Sequence, residues 1–239
     1  MTKPINQMNS YLDRLETKIK SGMGRNFLVM LDTCAVIDFE HYANNWRLKD
    51  KNKGISAFYT SFCSRGFPVY VNKRVIQEVF KHRNNHSVAG RDEVSAEGAT
   101  IVNQMYLNYQ RFMQTLVESN PKKIEDIRYD VYWATKLAFD PDHKKICDDL
   151  ISRVDKSIIA AATWARYANL IDGAYLTDLF FDSAKDGTPV RSLDGVVIVS
   201  PDAHLSETVR VLTDHTIWPD CQDQLFIYDS IKVVSSRED

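Results

Sequence analysis

The run Phe27-Leu28-Val29-Met30-Leu31, which leads directly into Asp32 and Thr33, constrains the fold more than any other stretch of the chain. A short, uninterrupted apolar run favours a strand buried on both faces, as in a parallel α/β sheet, although periodicity alone leaves a buried helical segment open. We interpret it as the central first strand. Ligands of such sheets bind beyond the carboxyl ends of the strands, which is where Asp32 is placed. A structural role stays open, because aspartate also suits turns and helix caps.

Length and composition limit the class of protein. A chain of 239 residues with 44% hydrophobic residues can bury one sizeable core. The formal net charge of -2 argues against a uniformly basic surface, but local basic patches remain compatible with nucleic acid. The four cysteines form no C-x-x-C pair, which favours reduced thiols. Because the N-terminus lacks an apolar signal core and no run approaches the roughly 18 residues of a membrane span, we expect a soluble, cytoplasmic protein without membrane contact.

We expect one α/β domain preceded by a helical segment. Residues 1–25 are interpreted as an N-terminal amphipathic helical extension, in which Ser10 and Asp13 resemble a capping box at the start of the helix. Its apolar stripe would cover either the domain or a partner, and packing on the domain is the commoner outcome. Residues 26–239 form the domain itself, with a helical insertion at about 84–142.

The remaining elements follow from short apolar runs and helix caps. Asn72 is predicted to cap a helix that runs from about Lys73 to His82. A helix from about His143 to Asn169 carries Asp155, and a helix from about Ala203 to Leu212 follows Ser200-Pro201-Asp202. Further strands are predicted at Val69–Val71, Val196–Val199 and Leu225–Tyr228.

Four carboxylates stand out by their context. Asp32 and Asp202 each follow an apolar strand. If the two strands are parallel neighbours, their carboxyl ends converge at one edge of the sheet. Asp155 projects from an apolar helical stripe, where a lone carboxylate is costly to desolvate. A metal or catalytic role and a buried ion pair or backbone hydrogen bond both remain open for it. Glu78 shares a helix side with Arg74 and Lys81, so pairing on a solvated surface is its alternative explanation.

Carboxylates that are brought together repel one another, and shared protons or a divalent cation relieve the repulsion. A cluster of oxygen ligands alone suits Mg²⁺ or Mn²⁺ rather than zinc. Such ions activate water and stabilise charge on a phosphoryl group, so hydrolysis of phosphodiesters is the leading chemistry.

The order of these motifs resembles that of the PIN-domain nucleases. The matching pieces are the strand ending in Asp32-Thr33, the helix of Val75-Ile76-Gln77-Glu78, the helix around Asp155 and the strand before Ser200-Pro201-Asp202. The resemblance implies a three-layer α/β/α sandwich with a central, mainly parallel sheet. It also implies a magnesium- or manganese-dependent endoribonuclease, as in toxin–antitoxin modules or RNA processing, whose partners are RNA, an inhibitor or antitoxin protein, or a second copy in a homodimer.

Carried over residue by residue, the resemblance makes Asp32, Glu78, Asp155 and Asp202 the catalytic metal ligands, with Thr33 and Ser200 in support. Two positions depart from the family pattern. Cys34 stands where many members have asparagine, and His204 stands where some related nucleases have another acid. Asp178, which also follows apolar residues, is a rival for the last acid, but its strand signal is shorter than that of Val196–Val199.

Nucleic-acid contacts are expected from basic residues near Glu78. Lys73, Arg74, Lys81 and Arg83 share its helix or the end of that helix, although they also suit a solvated surface. Aromatic residues between 106 and 133 could stack on bases, but their helical spacing favours core packing. These residues include Tyr106, Tyr109, Phe112, Tyr129, Tyr132 and Trp133.

Two other functions remain open. One keeps the fold and loses catalysis, giving a degenerate PIN-like module for RNA binding or protein assembly, and the departures at Cys34 and His204 motivate it. The other is a phosphatase of the haloacid dehalogenase type, which also places an aspartate after a strand. That family usually needs a second aspartate two residues later, and Cys34 occupies that place here.

Overall fold

The central feature of the computed structural model is a four-stranded parallel sheet in which the first strand pairs on both edges. The strands are β1 (Phe27–Leu31), β2 (Val69–Tyr70), β3 (Gly195–Val199) and β4 (Leu225–Tyr228), in the order β2-β1-β3-β4. The structure describes residues 4–22, 27–43, 54–84, 94–117, 152–167, 195–214 and 225–228. An α/β fold with a parallel sheet is confirmed, and β1 is the internal strand that the sequence predicted.

The register of the sheet explains why two strands are wholly apolar. Val29 pairs with Val69 on one edge of β1 and with Val197 on the other. Every residue of β1 and β3 is buried, as expected for strands that are covered on both faces. Because all four strands are parallel, their carboxyl ends lie along one edge of the sheet.

Seven helices are described around this sheet. They are α1 (Pro4–Gly22), α2 (Thr33–Ala43), α3 (Ile55–Ser64), α4 (Lys73–Asn84), α5 (Ala96–Val117), α6 (Arg153–Tyr167) and α7 (Ala203–Asp214). Helix α5 lies within the predicted insertion at about 84–142, most of whose remaining residues are outside the described part. None of the described helices combines the length and the apolar character needed to cross a membrane.

Helix α1 differs from the prediction at its start. It begins at Pro4, not at Ser10, because its apolar repeat extends upstream and proline suits the first turn of a helix. Its apolar stripe is buried against the same chain. The ring of Tyr11 lies 5.6 Å from those of Phe39 and Tyr228, so α1 bridges α2 and β4.

Helix α6 also begins at a different residue from the one predicted. The residues from 143 to 151 are outside the described part, and the helix that carries Asp155 starts at Arg153. Asp155 is therefore in the first turn, not in the middle of the helix. The signal that marks this start is Ser152, three residues before Asp155, in the spacing of a capping box.

Candidate functional site

The chain changes direction across the sheet between β1 and β3. From β1 it goes to β2 on one side, whereas β3 leads to β4 on the other, and such a switch point opens a crevice at the carboxyl ends of the strands. Asp32 directly follows β1, and Ser200 directly follows β3. The hydroxyl of Ser200 donates a hydrogen bond to Oδ2 of Asp32 over 3.0 Å. The predicted meeting of the two strand ends is confirmed.

Asp32 is buried and fixed in orientation. Only 3% of it is exposed, and its Oδ1 accepts a hydrogen bond from the backbone N–H of Thr33. Burial, followed by the negative charge of Asp155, raises the pKa of Asp32 from 3.8 to about 7, and Glu78 adds a smaller effect. The hydrogen bonds from Ser200 and Thr33 oppose the rise in pKa without cancelling it. Asp32 is thus a carboxyl group whose negative charge is poorly compensated.

Glu78 lies on α4 and is half-buried. Its Oε2 accepts a hydrogen bond of 2.6 Å from the hydroxyl of Thr33, the first residue of α2. Thr33 therefore joins the end of β1 to α4 and holds the Glu78 carboxylate at the site.

Asp155 approaches the site from the first turn of α6. Its Oδ2 accepts a hydrogen bond of 2.9 Å from the backbone N–H of Ser152, whose hydroxyl accepts from the N–H groups of Val154 and Asp155 in return. The backbone hydrogen bond that the sequence left open for Asp155 is thus present. Burial nevertheless raises the pKa of Asp155, and the negative charges of Asp202 and Glu78 raise it further against the bonds from Ser152.

Asp202 is half-buried and lies before α7. Its backbone N–H donates to the hydroxyl of Ser200 over 3.1 Å, so Ser200 connects Asp202 with Asp32. Oδ1 of Asp202 accepts a hydrogen bond of 2.8 Å from the backbone N–H of His204. The imidazole Nδ1 of His204 lies 3.3 Å from the same oxygen.

Cys34 faces the same group of acids from the first turn of α2. Desolvation, followed by the charges of Asp32, Asp155, Asp38 and Glu78, raises the pKa of its thiol to about 12, although the side chain is in part exposed. The thiol stays protonated at neutral pH. Cys34 is therefore a poor nucleophile and a poor anionic ligand at this site.

The four predicted acids are electrostatically connected. Asp155 and Glu78 act on Asp32, while Asp202 and Glu78 act on Asp155. Among the described residues, however, no group of three or more histidine, cysteine, aspartate or glutamate side chains is arranged so that it could hold a metal ion. Thr33 donates hydrogen bonds to two carboxylate oxygens of this group, and Ser152, Ser200 and the His204 backbone each donate to one.

The predicted contacts to nucleic acid lie on α4 or outside the described part. Lys73, Arg74 and Lys81 are exposed on this helix, and Arg83 lies in its last turn. Phe112 is buried with its ring centre 5.4 Å from that of Tyr70, and Tyr109 packs 6.4 Å from the same ring. Core packing is confirmed for these two aromatic residues, whereas Asp178, Tyr129, Tyr132 and Trp133 lie outside the described residues.

A further buried carboxylate, outside the candidate site, escaped sequence reasoning. Glu40, in α2, is 2% exposed and accepts hydrogen bonds from the backbone N–H groups of Ile55 over 3.1 Å and Ser95 over 2.9 Å. It therefore caps the N-termini of α3 and α5. A Cβ added at Gly54, whose φ is +109°, or at Gly98 would lie 2.4 Å or 2.9 Å from a Glu40 oxygen. Gly54 lies immediately before α3 and Gly98 lies in the first turn of α5, so a glycine at each helix start is the local sequence feature that accompanies this contact.

Comparisons with known proteins add no relative to this picture. No protein-family model, no curated protein and no solved structure matches the chain. What the site can do is therefore judged from its own contacts and charges.

Proposed function

We propose that the chain is a divalent-metal-dependent endoribonuclease with a PIN-like, three-layer α/β/α architecture. The observation that carries the proposal is the electrostatic interaction among Asp32, Glu78, Asp155 and Asp202 near the carboxyl edge of the sheet. Burial and the charges of Asp155 and Glu78 raise the pKa of Asp32 to about 7. A group of like charges that is wholly or partly buried destabilises a folded protein, and such groups cluster at sites that bind a ligand or carry out a reaction.

The chemistry of the donors fits Mg²⁺ or Mn²⁺. All four side chains offer carboxylate oxygens, which are the ligands that these hard cations prefer. Asp32, Asp155 and Asp202 would hold the ion, and Glu78 would complete the set directly or through water. A bound ion would supply positive charge opposite a phosphoryl group and would lower the pKa of a water molecule.

The residues of the chain prepare this reaction in three ways. Ser200 and Thr33 fix the Asp32 carboxylate in one orientation by a hydrogen bond to each oxygen. Thr33 also holds Oε2 of Glu78, which leaves Oε1 as the atom to accept a proton from the attacking water. Asp155 and Asp202 each accept a backbone N–H in this structure, and their carboxylates would exchange these hydrogen bonds for the ligand.

RNA is the proposed substrate, and the cytoplasm is the proposed compartment. Lys73, Arg74 and Lys81 are exposed on α4, the helix that carries Glu78, and Arg83 follows in its last turn. Positive charge beside the acidic site would contact phosphates on either side of the bond that is cleaved.

A second candidate function is a PIN-like module that binds RNA or assembles proteins without cleaving. One observation favours it, namely that no group of acids among the described residues is arranged to hold a metal ion. The bond from Ser152 to Asp155 and the place of Cys34 beside Asp32 point the same way. In this alternative no divalent cation is bound, so the acids repel the phosphates of RNA. The basic residues of α4 then make the contacts to RNA.

Cleavage of a fluorescently labelled single-stranded RNA by the purified chain tests the proposal. We expect cleavage that requires Mg²⁺ or Mn²⁺, stops with EDTA, and falls by about three orders of magnitude in Asp32→Asn and Asp155→Asn, which is roughly 4 kcal/mol of barrier. Glu97→Gln is the matched control, because it neutralises an exposed acid in the first turn of α5. Its rate should equal that of the wild type.

Two results would separate the candidate functions. Metal-dependent cleavage by Asp32→Asn at the wild-type rate would remove Asp32 from the site and refute the proposed mechanism. Binding of the RNA without cleavage, together with no heat of Mn²⁺ binding in calorimetry, would establish the non-catalytic module instead.

A further inference from the structure

Asn72 is a buried polar residue that the proposed chemistry does not use. It follows β2 at the carboxyl edge of the sheet and is 4% exposed. Its Oδ1 accepts hydrogen bonds from the backbone N–H groups of Arg74 over 2.9 Å and Val75 over 3.0 Å, so it caps α4 as the sequence predicted. Since two N–H groups face Oδ1, the amide orientation is fixed and Nδ2 points away from α4.

Nδ2 of Asn72 is directed at α6. It donates a hydrogen bond of 3.0 Å to the hydroxyl of Ser157, and this hydroxyl donates in turn to the carbonyl of Val154 over 2.6 Å. Val154 immediately precedes Asp155 in the first turn of α6. One side chain therefore ties the start of the helix that carries Glu78 to the start of the helix that carries Asp155.

Capping alone does not account for this second bond. A serine or an aspartate at position 72 would cap α4 equally well, but neither offers an N–H group to Ser157. The bond is part-buried and spans 85 positions of sequence. It fixes α4 relative to α6, two helices that are in contact and that approach the acidic group from different directions.

We propose that Asn72 and Ser157 are positioning residues that set the distance between the Glu78 and Asp155 carboxylates, and thereby the affinity of the site for a divalent cation. This inference rests on the proposed function, since it assumes that these acids share an ion. Residues that orient metal ligands through hydrogen bonds typically change metal affinity when they are replaced.

Ser157→Ala tests the inference because it removes the acceptor and leaves the cap of α4 intact. We expect the dissociation constant for Mn²⁺, measured by calorimetry without RNA, to rise about tenfold. Ser64→Ala is the matched control, since Ser64 makes the same bond to a carbonyl three residues earlier, at the end of α3. Its Mn²⁺ affinity should be that of the wild type.

A double-mutant cycle separates positioning from general damage. Asn72→Ser retains a hydroxyl cap for α4 but loses the donor to Ser157, so it should weaken Mn²⁺ binding by a similar factor. The double variant should bind Mn²⁺ no more weakly than the weaker single variant, because both substitutions remove one bond. Asn72→Ser also serves alone if Ser157→Ala fails to fold.

The outcomes distinguish this inference from the function on which it rests. If the wild type binds Mn²⁺ and Ser157→Ala binds it equally well but melts at a lower temperature, the contact is merely structural and the inference is overturned. Additive losses in the cycle overturn it too. If the wild type binds no Mn²⁺ at all, the proposed metal-dependent function falls, and the inference falls with it.

Discussion

Asp32 and Glu40 are buried carboxylates at the two ends of α2, and their surroundings differ in kind. Each oxygen of Glu40 accepts a backbone N–H at the start of another helix, where the helix dipole also favours negative charge. Asp32 accepts hydrogen bonds as well, but the negative charges of Asp155 and Glu78 act on it, and this repulsion contributes to its raised pKa. The Glu40 carboxylate therefore stabilises the fold, whereas the negative charge of Asp32 destabilises it.

The extent of burial alone does not distinguish a carboxylate that stabilises the fold from one that destabilises it. Both residues are more than nine-tenths buried, and a measure of exposure ranks them together. What separates them is the sign of the neighbouring charges and partial charges. The uncompensated group at Asp32 is the one that we connect with function, because strongly perturbed carboxyl groups cluster at functional sites.

The largest expected change in stability comes from replacing Glu40. Glu40→Gln keeps the shape of the side chain but turns an N–H group towards one of the two backbone donors, so we expect the free energy of unfolding to fall by about 2–4 kcal/mol. Urea denaturation followed by circular dichroism measures the change. RNA cleavage per folded molecule should be unchanged. A stable Glu40→Gln protein that no longer cleaves RNA would erase the distinction between the two carboxylates.

A smaller effect of opposite sign is expected at Asp32. Between the unfolded pKa of 3.8 and the folded pKa of about 7, the folded state keeps a proton that the unfolded state releases. Stability therefore falls as the pH rises through this window and is flat above it. In EDTA at pH 8, Asp32→Asn should be more stable than the wild type by about 1–3 kcal/mol, and this gain should vanish near pH 4.

Thermal melts of both proteins between pH 4 and pH 8 measure this gain. Glu97→Gln, which alters an exposed acid, should follow the wild type at every pH. A gain in Asp32→Asn that is the same at pH 4 and pH 8 would mean that Asp32 is not protonated on folding. Asp32 and Glu40 would then differ in how their side chains pack and not in their electrostatic surroundings.

The smallest effect concerns Gly98 and changes sign with its neighbour. An added Cβ would lie 2.9 Å from Oε1 of Glu40, so Gly98→Ala should lower the free energy of unfolding by about 1 kcal/mol despite the better helix propensity of alanine. In a Glu40→Ala background the obstacle is gone. There the same substitution should raise the free energy of unfolding by roughly 0.5–1 kcal/mol. Urea titration of the wild type, the two single variants and the double variant measures both changes. A loss of stability from Gly98→Ala in both backgrounds would mean that Glu40 is not the cause.

The sequence could predict those parts of the site that directly follow buried core strands. The runs in β1 and β3 are wholly apolar because both strands are internal, and parallel pairing then brings Asp32 and Ser200 to one edge. Glu40 and the bond between Asn72 and Ser157 could not be found in this way. Their partners are distant in sequence, and no periodic pattern links a buried polar residue to a helix start elsewhere.

Two capping motifs of the same spacing show where this signal does not mark the start of a helix. Ser10 and Asp13 have the same spacing as Ser152 and Asp155, yet the first pair lies inside α1 and the second marks the start of α6. The difference lies upstream, because the apolar repeat of α1 continues back through Met8 to a proline that can begin a helix. A capping motif therefore predicts a helix start only where the apolar repeat also begins.

The pairing of β1 with β3 has a consequence for synthesis on the ribosome. Ser200 follows Asp32 by 168 positions, so at roughly 5–20 residues per second translation takes on the order of ten to thirty seconds to pass from one to the other. Throughout that time β1 can pair with β2 on one edge but still lacks β3 on the other. The acidic group is assembled only when most of the polypeptide has been made.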